Sequence, residues 1–304
     1  MSEAKYDLSI VVLTMNRKDQ VLEALESCFA ARLPEKVEFV VVDNHSTDGT
    51  GDAIRALMQE RGIRDFQYEY EEENLGVGGG RARAFEMARG KYMYVLDDDA
   101  VIAADCADRF FIEPFEYLEK NRNVASITTR IKDLLLEYDR EVDQAPTQVD
   151  GRNVVFKFLG GSHFLRKEAF ESPLYFSIKY GGEEFAPSII AQDAGYCHVY
   201  FDDVYIIHKP KKNKWVAGTE DMERVLCCGI SVAHATKLIL YPTIFRPILA
   251  LAYRRRLRKH MAAYPGAKKK CDEMIKTIRR ENKRKKVKIS TVIALYRKFG
   301  LTTF

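Results

Sequence analysis

The sequence of 304 residues predicts an α/β protein: a mostly parallel open sheet with helices on both faces, followed by a basic helical extension at the C-terminal end. The first reason is periodicity. Apolar runs with the length and composition of buried strands alternate with helix-period segments over the first hundred residues, a β-α-β-α-β-α-β series. The second reason is charge. Residues 1–200 carry 23 Lys and Arg against 36 Asp and Glu, a net of −13, whereas residues 201–304 carry 25 against 8, a net of +17. Surfaces so different argue for two structural units, 1–218 and 219–304, the first divisible into halves of about 1–100 and 101–218.

Leu8–Leu13 is a nearly continuous apolar run, as in a parallel strand covered on both faces. Thr14-Met15-Asn16-Arg17 turns it into a helix whose apolar positions are Val21, Leu22, Leu25, Cys28 and Phe29. Val37–Val42 is the second strand. It ends at Asp43, and the polar residues after it suit the N-cap of a helix carrying Ile54, Leu57 and Met58. Phe66–Tyr70 is a short third strand. The glycine-rich run from Asn74 through Gly76 to Arg81 then opens a helix to Ala88. This run follows the third strand rather than the first, so it is a poor dinucleotide fingerprint, and no G-x-x-x-x-G-K-[ST] phosphate loop occurs. Its glycines let backbone pass close to a ligand or to another helix. Arg81 and Arg83 fall in the first turn, where cations oppose the helix dipole, so one of them should face an anion.

Tyr92–Leu96 is the fourth strand and runs into Asp97, Asp98 and Asp99. Burying even one unpaired carboxylate is costly. Either this tip is solvated, or a hard divalent cation that itself holds phosphate oxygens neutralises it. Thr14, Asp43 and the three aspartates thus all fall at the carboxyl ends of strands, where open α/β sheets bind ligands. A helix from about Asp105 to Lys120 leads to a strand at Val124–Thr129, and Asp133–Asp150 reads as a surface loop or hairpin. Val154–Leu159 is a strand ending at Gly160-Gly161. Tyr180 to Glu184 opens a helix with Glu183 and Glu184 in its first turn. Val199–Ile207 is the last strand, ending at His208 in a basic run to Trp215.

The N-terminus shows no signal-peptide pattern, and no run approaches the roughly 18 apolar residues of a spanning helix. A cytoplasmic protein is expected, at most peripheral at the inner face of a membrane. Six scattered cysteines without C-x-x-C spacing read as reduced thiols rather than a zinc site.

Together these stretches resemble the family 2 glycosyltransferases, whose nucleotide-sugar-binding domain has the GT-A fold. Ser9–Arg17, with Thr14, Asn16 and Arg17, matches the family's opening strand and turn, and Val41–Thr50, with Asp43, its second strand end. Asn74, Gly76, Arg81, Ala88, Gly90 and Asp97–Asp99 match its glycine helix and D-x-D strand, with Gly80 where Ala is common. Gly160-Gly161 with Arg166 looks like the acceptor-side turn. Glu183-Glu184 match the spacing of a Glu-Asp pair, with Glu in second place. His208 matches a late histidine, and Ile190 stands where an arginine is usual.

The resemblance implies a metal-dependent, inverting transfer of sugar from a UDP-, dTDP- or GDP-sugar to a glycan, lipid-linked or protein acceptor, in cell-surface polysaccharide, glycolipid or glycoprotein glycan synthesis. Thr14, Asn16, Arg17, Asp43, Asn74, Gly76, Arg81, Asp97 and Asp98 would bind the nucleotide sugar. Asp97, Asp99 and His208 would hold Mn²⁺ or Mg²⁺. Glu184, and after it Glu183, would take the proton of the acceptor hydroxyl.

From about Glu220 the pattern is helical and amphipathic, with basic clusters at Arg254–His260, Lys268–Lys270 and Lys283–Lys288. These suit helices docked on the catalytic domain or on a second subunit of a homo-oligomer, or an anionic membrane surface. No nucleic-acid recognition motif accompanies the charge, so no nucleic acid is expected as a partner. Two other classes stay open. A nucleotidyltransferase would carry a glycine-rich basic loop where Thr14–Arg17 stands. A non-catalytic nucleotide-sugar-binding or assembly module would suit the departures at Glu184 and Ile190.

Overall fold

The computed structural model describes residues 4–135, 138–210, 220–261 and 264–304. The expected boundary at 218/219 and most of the basic run to Trp215 lie outside the described residues. In the N-terminal half, β1 (Tyr6–Thr14), β2 (Val37–Asp43), β3 (Phe66–Tyr70) and β4 (Gly90–Asp97) lie parallel in the order β3-β2-β1-β4. They are joined by α1 (Lys18–Phe29), α2 (Thr50–Glu60) and α3 (Gly76–Met87). Leu8, Ile10 and Val12 pack with Tyr92 and Tyr94 on one face, Val11, Val40 and Val95 with Ala84 and Phe85 of α3 on the other. Coverage of both faces is why the strands read as continuous apolar runs. Register pairs Thr14 with Asp43 and Leu13 with Asp97, so the polar tips share one edge.

The second half continues the sheet through β5 (Ala100–Ile102), α4 (Ile112–Lys120), β6 (Val124–Asp133), β7 (Tyr138–Asp139), β8 (Gln144–Val149), β9 (Arg152–Val155), β10 (Ser162–Arg166), α5 (Phe185–Asp193) and β11 (Cys197–His208). The main strand order is β3-β2-β1-β4-β10-β6-β11-β9-β8. β6 and β11 are parallel, while β10 runs antiparallel to both β4 and β6.

Three local expectations need correction. The helix expected from Asp105 begins at Ile112; Pro114 lacks an N–H and is tolerated only in a first turn. The strand at Val154–Leu159 stops at Val155, and Gly160-Gly161 does not end a strand but opens β10. Only two of the five β10 residues are apolar, yet all five are buried. The Ser162 hydroxyl lies 2.8 Å from that of Tyr94 and 2.6 Å from that of Thr129. Arg166 donates to the carbonyls of Val124 (2.9 Å) and Asn121 (3.0 Å). It is a fully buried clamp. Finally, Glu183 and Glu184 precede α5, with Glu184 at its N-cap.

Among the described residues, four α-helices follow: α6 (Glu220–Leu240), α7 (Arg246–Met261), α8 (Ala267–Glu281) and α9 (Ile289–Phe299). Val232 and Ile239 of α6, Ile278 of α8 and Val292 and Leu295 of α9 form one core with Phe156, Phe176, Ile178 and Ile189. The helices therefore pack on the second half of the sheet domain. Buried Asn282 reinforces the contact: its Oδ1 accepts from the Ser177 N–H (2.8 Å), and its Nδ2 donates to the carbonyls of Ser177 (3.3 Å) and Ile278 (3.0 Å). Asn282→Ala removes the side-chain partner of the Ser177 N–H and carbonyl, while its own backbone N–H still bonds to the Ile278 carbonyl, and should lower stability by about 1–3 kcal/mol. The measurement is the urea midpoint at unchanged slope; an unmoved midpoint would mean that the segment after Phe176 is held without this residue.

Candidate active site

A cleft of about 430 Å³ opens at the carboxyl ends of β1 and β4. Segment 179–184 and Val225 and Gly229 of α6 form part of its lining. The glycine run brings α3 against that segment. The N–H groups of Val77 and Gly78 donate to the carbonyls of Lys179 (3.2 Å) and Ile178 (3.1 Å). A Cβ on Gly76 would stand 2.7 Å from the Lys179 Cα, and Gly76 has φ +74°, so glycine is required twice over. The run is a seam between the two halves of the sheet domain.

Each aspartate of the β4 tip has its own partners. Asp97 accepts from Arg81 Nη2 at 2.5 Å, and the Nη1 of the same buried guanidinium donates to Glu183. Arg81 thus faces anions, as one of the two arginines should, but from the second turn of α3 rather than the first. Arg83 pairs instead with Glu69 at the surface. Gly160 and Gly161 wall this network: a Cβ on Gly161 would lie 2.9 Å from Asp97 Oδ2, and one on Gly160 2.9 Å from Arg81 Nη1. Asp98 accepts from the Thr14 hydroxyl (2.9 Å) and Arg17 Nη1 (2.7 Å), and burial pushes its pKa up to about 6. Asp99 accepts from Arg17 and lies 3.1 Å from His208 Nε2. Burial opposes its ionisation, but His208 and Arg17 outweigh this and hold it at about 2.

Oxygens of Asp97 and Asp99 and a ring nitrogen of His208 lie within 4.8 Å of one another, a spacing one cation can bridge. His208 Nδ1 lies 2.8 Å from Asp133 Oδ2, which fixes the ring with Nε2 toward Asp99. A carboxylate behind the imidazole is a common feature of metal-binding histidines. Two carboxylates and one imidazole fit Mn²⁺, and the carboxylates also suit Mg²⁺. Asp133 escaped the sequence reading because 75 positions separate it from His208 and no local spacing links them.

Two predicted nucleotide contacts do not line the cleft. Asp43 is buried, and its oxygens accept from the Ser46 N–H (2.8 Å) and the Tyr68 hydroxyl (2.7 Å). Asn16, at φ 52°, accepts from the Thr47 N–H (2.7 Å). Both brace the turns at the strand ends. The cleft instead meets Asn44, which donates to Asn74 (3.0 Å) and accepts from the Leu75 N–H (2.9 Å), setting Asn74 and Gly76 at the rim.

Glu183 and Glu184 both line the cleft but differ electrostatically. Burial pushes Glu183 up, Arg81 opposes and Glu184 adds to the rise, leaving it at about 7; its Oε2 is buried without a hydrogen-bond partner among the described residues. Glu184 is held below the usual range despite burial, because Lys157 Nζ donates to it at 2.7 Å. Lys157 also went unseen in the sequence, as a lone lysine inside a strand-like run. Ile190, in the place of the usual arginine, packs on the core shared with the C-terminal helices.

Among solved structures, the mannosyltransferase PcManGT from Pyrobaculum calidifontis, in complex with GDP-Man and Mn²⁺, is similar over 96% of this chain and 79% of its own, with a TM-score of 0.60 and 19% identity. GalNAc-T7 with UDP, GalNAc and Mn²⁺ is similar over 99% of this chain and 59% of its own (TM-score 0.64, 13% identity). For S. aureus TarS 1–349 with UDP-GlcNAc, both shares are 90% (TM-score 0.55, 15% identity). At these identities the likeness is one of fold, GT-A in each case. No curated protein matches the chain significantly. Residues 9–174, which include the glycine run, the aspartate tip and the Gly160-Gly161 wall, match the family model described as Glycosyl transferase family 2. The chain belongs to that glycosyltransferase family.

Proposed function

We propose that this glycosyltransferase moves a sugar from a nucleotide diphosphate sugar to an acceptor hydroxyl by one inverting displacement, with Mn²⁺ or Mg²⁺ as cofactor. The observation that carries the reading is the pairing, in one cleft, of the Asp97–Asp99–His208 cluster with the Glu183–Glu184 carboxylates, joined through Arg81. That the similar structures hold GDP-Man, UDP or UDP-GlcNAc, two of them with Mn²⁺, supports the donor class and the cofactor.

Asp97, Asp99 and His208 would hold the cation, which when bound stabilises the charge of the departing diphosphate. Asp133 keeps the imidazole oriented, while Thr14 and Arg17 fix Asp98. The acceptor oxygen bonds to the anomeric carbon as the bond from that carbon to the diphosphate oxygen breaks, and the hydroxyl proton passes to a glutamate. We favour Glu183, reversing the order the resemblance implies. Its unpartnered Oε2 needs a donor, which an acceptor hydroxyl would be, and a pKa of about 7 suits proton transfer at neutral pH. Glu184, ionised beside Lys157, is the weaker base, and its charge helps hold Glu183 up.

A base must be deprotonated to act, so kcat of the wild type should rise with pH through about 7. Glu183→Gln should remove that limb and lower kcat by about a hundredfold or more. A Glu184→Gln enzyme that loses turnover while Glu183→Gln keeps it would return the role to Glu184. Asp99→Asn should abolish Mn²⁺-dependent hydrolysis in a panel of UDP-, GDP- and dTDP-sugars; donor binding with no turnover by the wild type on any acceptor would instead mark a binding module. The product anomer, read by NMR, should be inverted, and a retained anomer would exclude the single displacement.

A further inference from the structure

The outer surface of the C-terminal helices combines exposed aliphatic side chains with an excess of positive charge. Helix α9 is apolar on two sides. Val292 and Leu295 are buried in the core shared with the sheet domain. Ile289, Ile293 and Tyr296, at i, i+4 and i+7, form a second stripe that is 49%, 40% and 47% exposed. The two stripes lie about 100° apart around the helix, so the apolar surface of α9 extends beyond the part that its core contacts cover. The stripe continues beyond its own helix: the Tyr296 ring lies 5.7 Å from Phe304, which lies 6.0 Å from Phe245, next to Ile244. Ile244, Leu251 and Leu301 are each about two-thirds exposed.

The charge around this surface is mostly positive, although Asp193 meets the start of α9 at Lys288 and Thr291. Segments 241–261 and 282–304 contain 13 Lys and Arg and no Asp or Glu. Arg246, Lys285, Lys286, Lys288, Arg297 and Lys298 are all exposed. Apolar side chains rimmed by cations are what a helix lying in the headgroup region of an anionic bilayer presents. A second copy of the chain would set the same positive surface against itself, a like-charge juxtaposition that disfavours pairing. No helix among the described residues is long and apolar enough to cross a membrane, so the contact is with its surface.

We propose that the face formed by Ile289, Ile293 and Tyr296 of α9 with Ile244 and Leu301 docks on an anionic lipid bilayer. Gly229 lines the cleft and Leu240 ends α6, so roughly 16 Å of helix lies between the cleft and this face. Docking therefore leaves the cleft open, and it does not rest on the proposed reaction.

The test is flotation of the full chain with vesicles of phosphatidylcholine alone, or of phosphatidylcholine with one-third phosphatidylglycerol. Binding should require the anionic lipid and weaken with salt. Ile293→Glu, at an exposed position, should lower it by about tenfold, and Arg297→Glu by about fivefold or more; both variants should keep the wild-type melting temperature. Equal binding to both vesicles, or binding unchanged by Ile293→Glu, would overturn the proposal. So would a wild-type dimer, seen by light scattering, that Ile293→Glu converts to monomer, since a second copy would then cover the face.

Discussion

The site depends on one buried cation. Arg81 is only 4% exposed and holds Asp97 with one nitrogen and Glu183 with the other. These partners come from three places that are far apart in sequence: the glycine helix, the tip of β4 and the loop before α5. Removing Arg81 would leave the buried Glu183 and its neighbour Asp97 without their shared counter-ion, typically a penalty of several kcal/mol. The glycines at 76, 160 and 161 follow from this constraint. They let the backbone of one half approach the other closely enough for a single guanidinium to span both, and they leave no side chain in the space its ligands occupy. Arg81 therefore ties the aspartate tip to the glutamate pair.

Three adjacent aspartates at a strand end each meet a different environment. Asp97 turns toward Arg81, Asp98 toward Thr14 and Arg17, and Asp99 toward Arg17 and His208. Their pKa values separate accordingly: burial raises Asp98 to about 6, whereas Asp99, braced by a histidine and an arginine, falls to about 2. Asp99, which is held ionised, is one of the carboxylates grouped with His208, where fixed negative charge suits a cation. Asp98 instead ties the turn after β1 to the turn after β4.

The parallel half of the fold was legible because its strands are covered on both faces, and such strands announce themselves as unbroken apolar runs. The aspartate tip and the glycine run were legible for a related reason: residues this costly to bury, or this free in backbone, stand out against a core, whereas His208 stood out only through the family resemblance. β10 was not legible. Its serine, histidine and arginine are buried by satisfying hydrogen bonds rather than by being apolar, and those partners are distant in sequence. Asp43 shows the opposite case: a carboxylate at a strand end suggests a ligand contact, and here a backbone N–H and a tyrosine hydroxyl bond to its two oxygens, so it also braces the turn. Asp133 and Lys157, which set the behaviour of His208 and Glu184, act across the tertiary structure and leave no trace in spacing.

The opposite charges of the two parts of the chain suggested separable units, but the packing joins them. Gly182, beside the glutamate pair, has φ +82°, and a Cβ there would stand 3.0 Å from Val232 of α6, while Val225 and Gly229 of the same helix line the cleft. Asn282 then holds the backbone at Ser177, seven residues before Glu184. The loop that presents both glutamates is thus clamped between the glycine helix on one side and the C-terminal helices on the other. The burial that lifts Glu183 toward neutrality is produced in part by a region whose own outer surface is positive and apolar. One helical layer therefore does two things: its inner side completes the cleft, and its outer side is left free for contact.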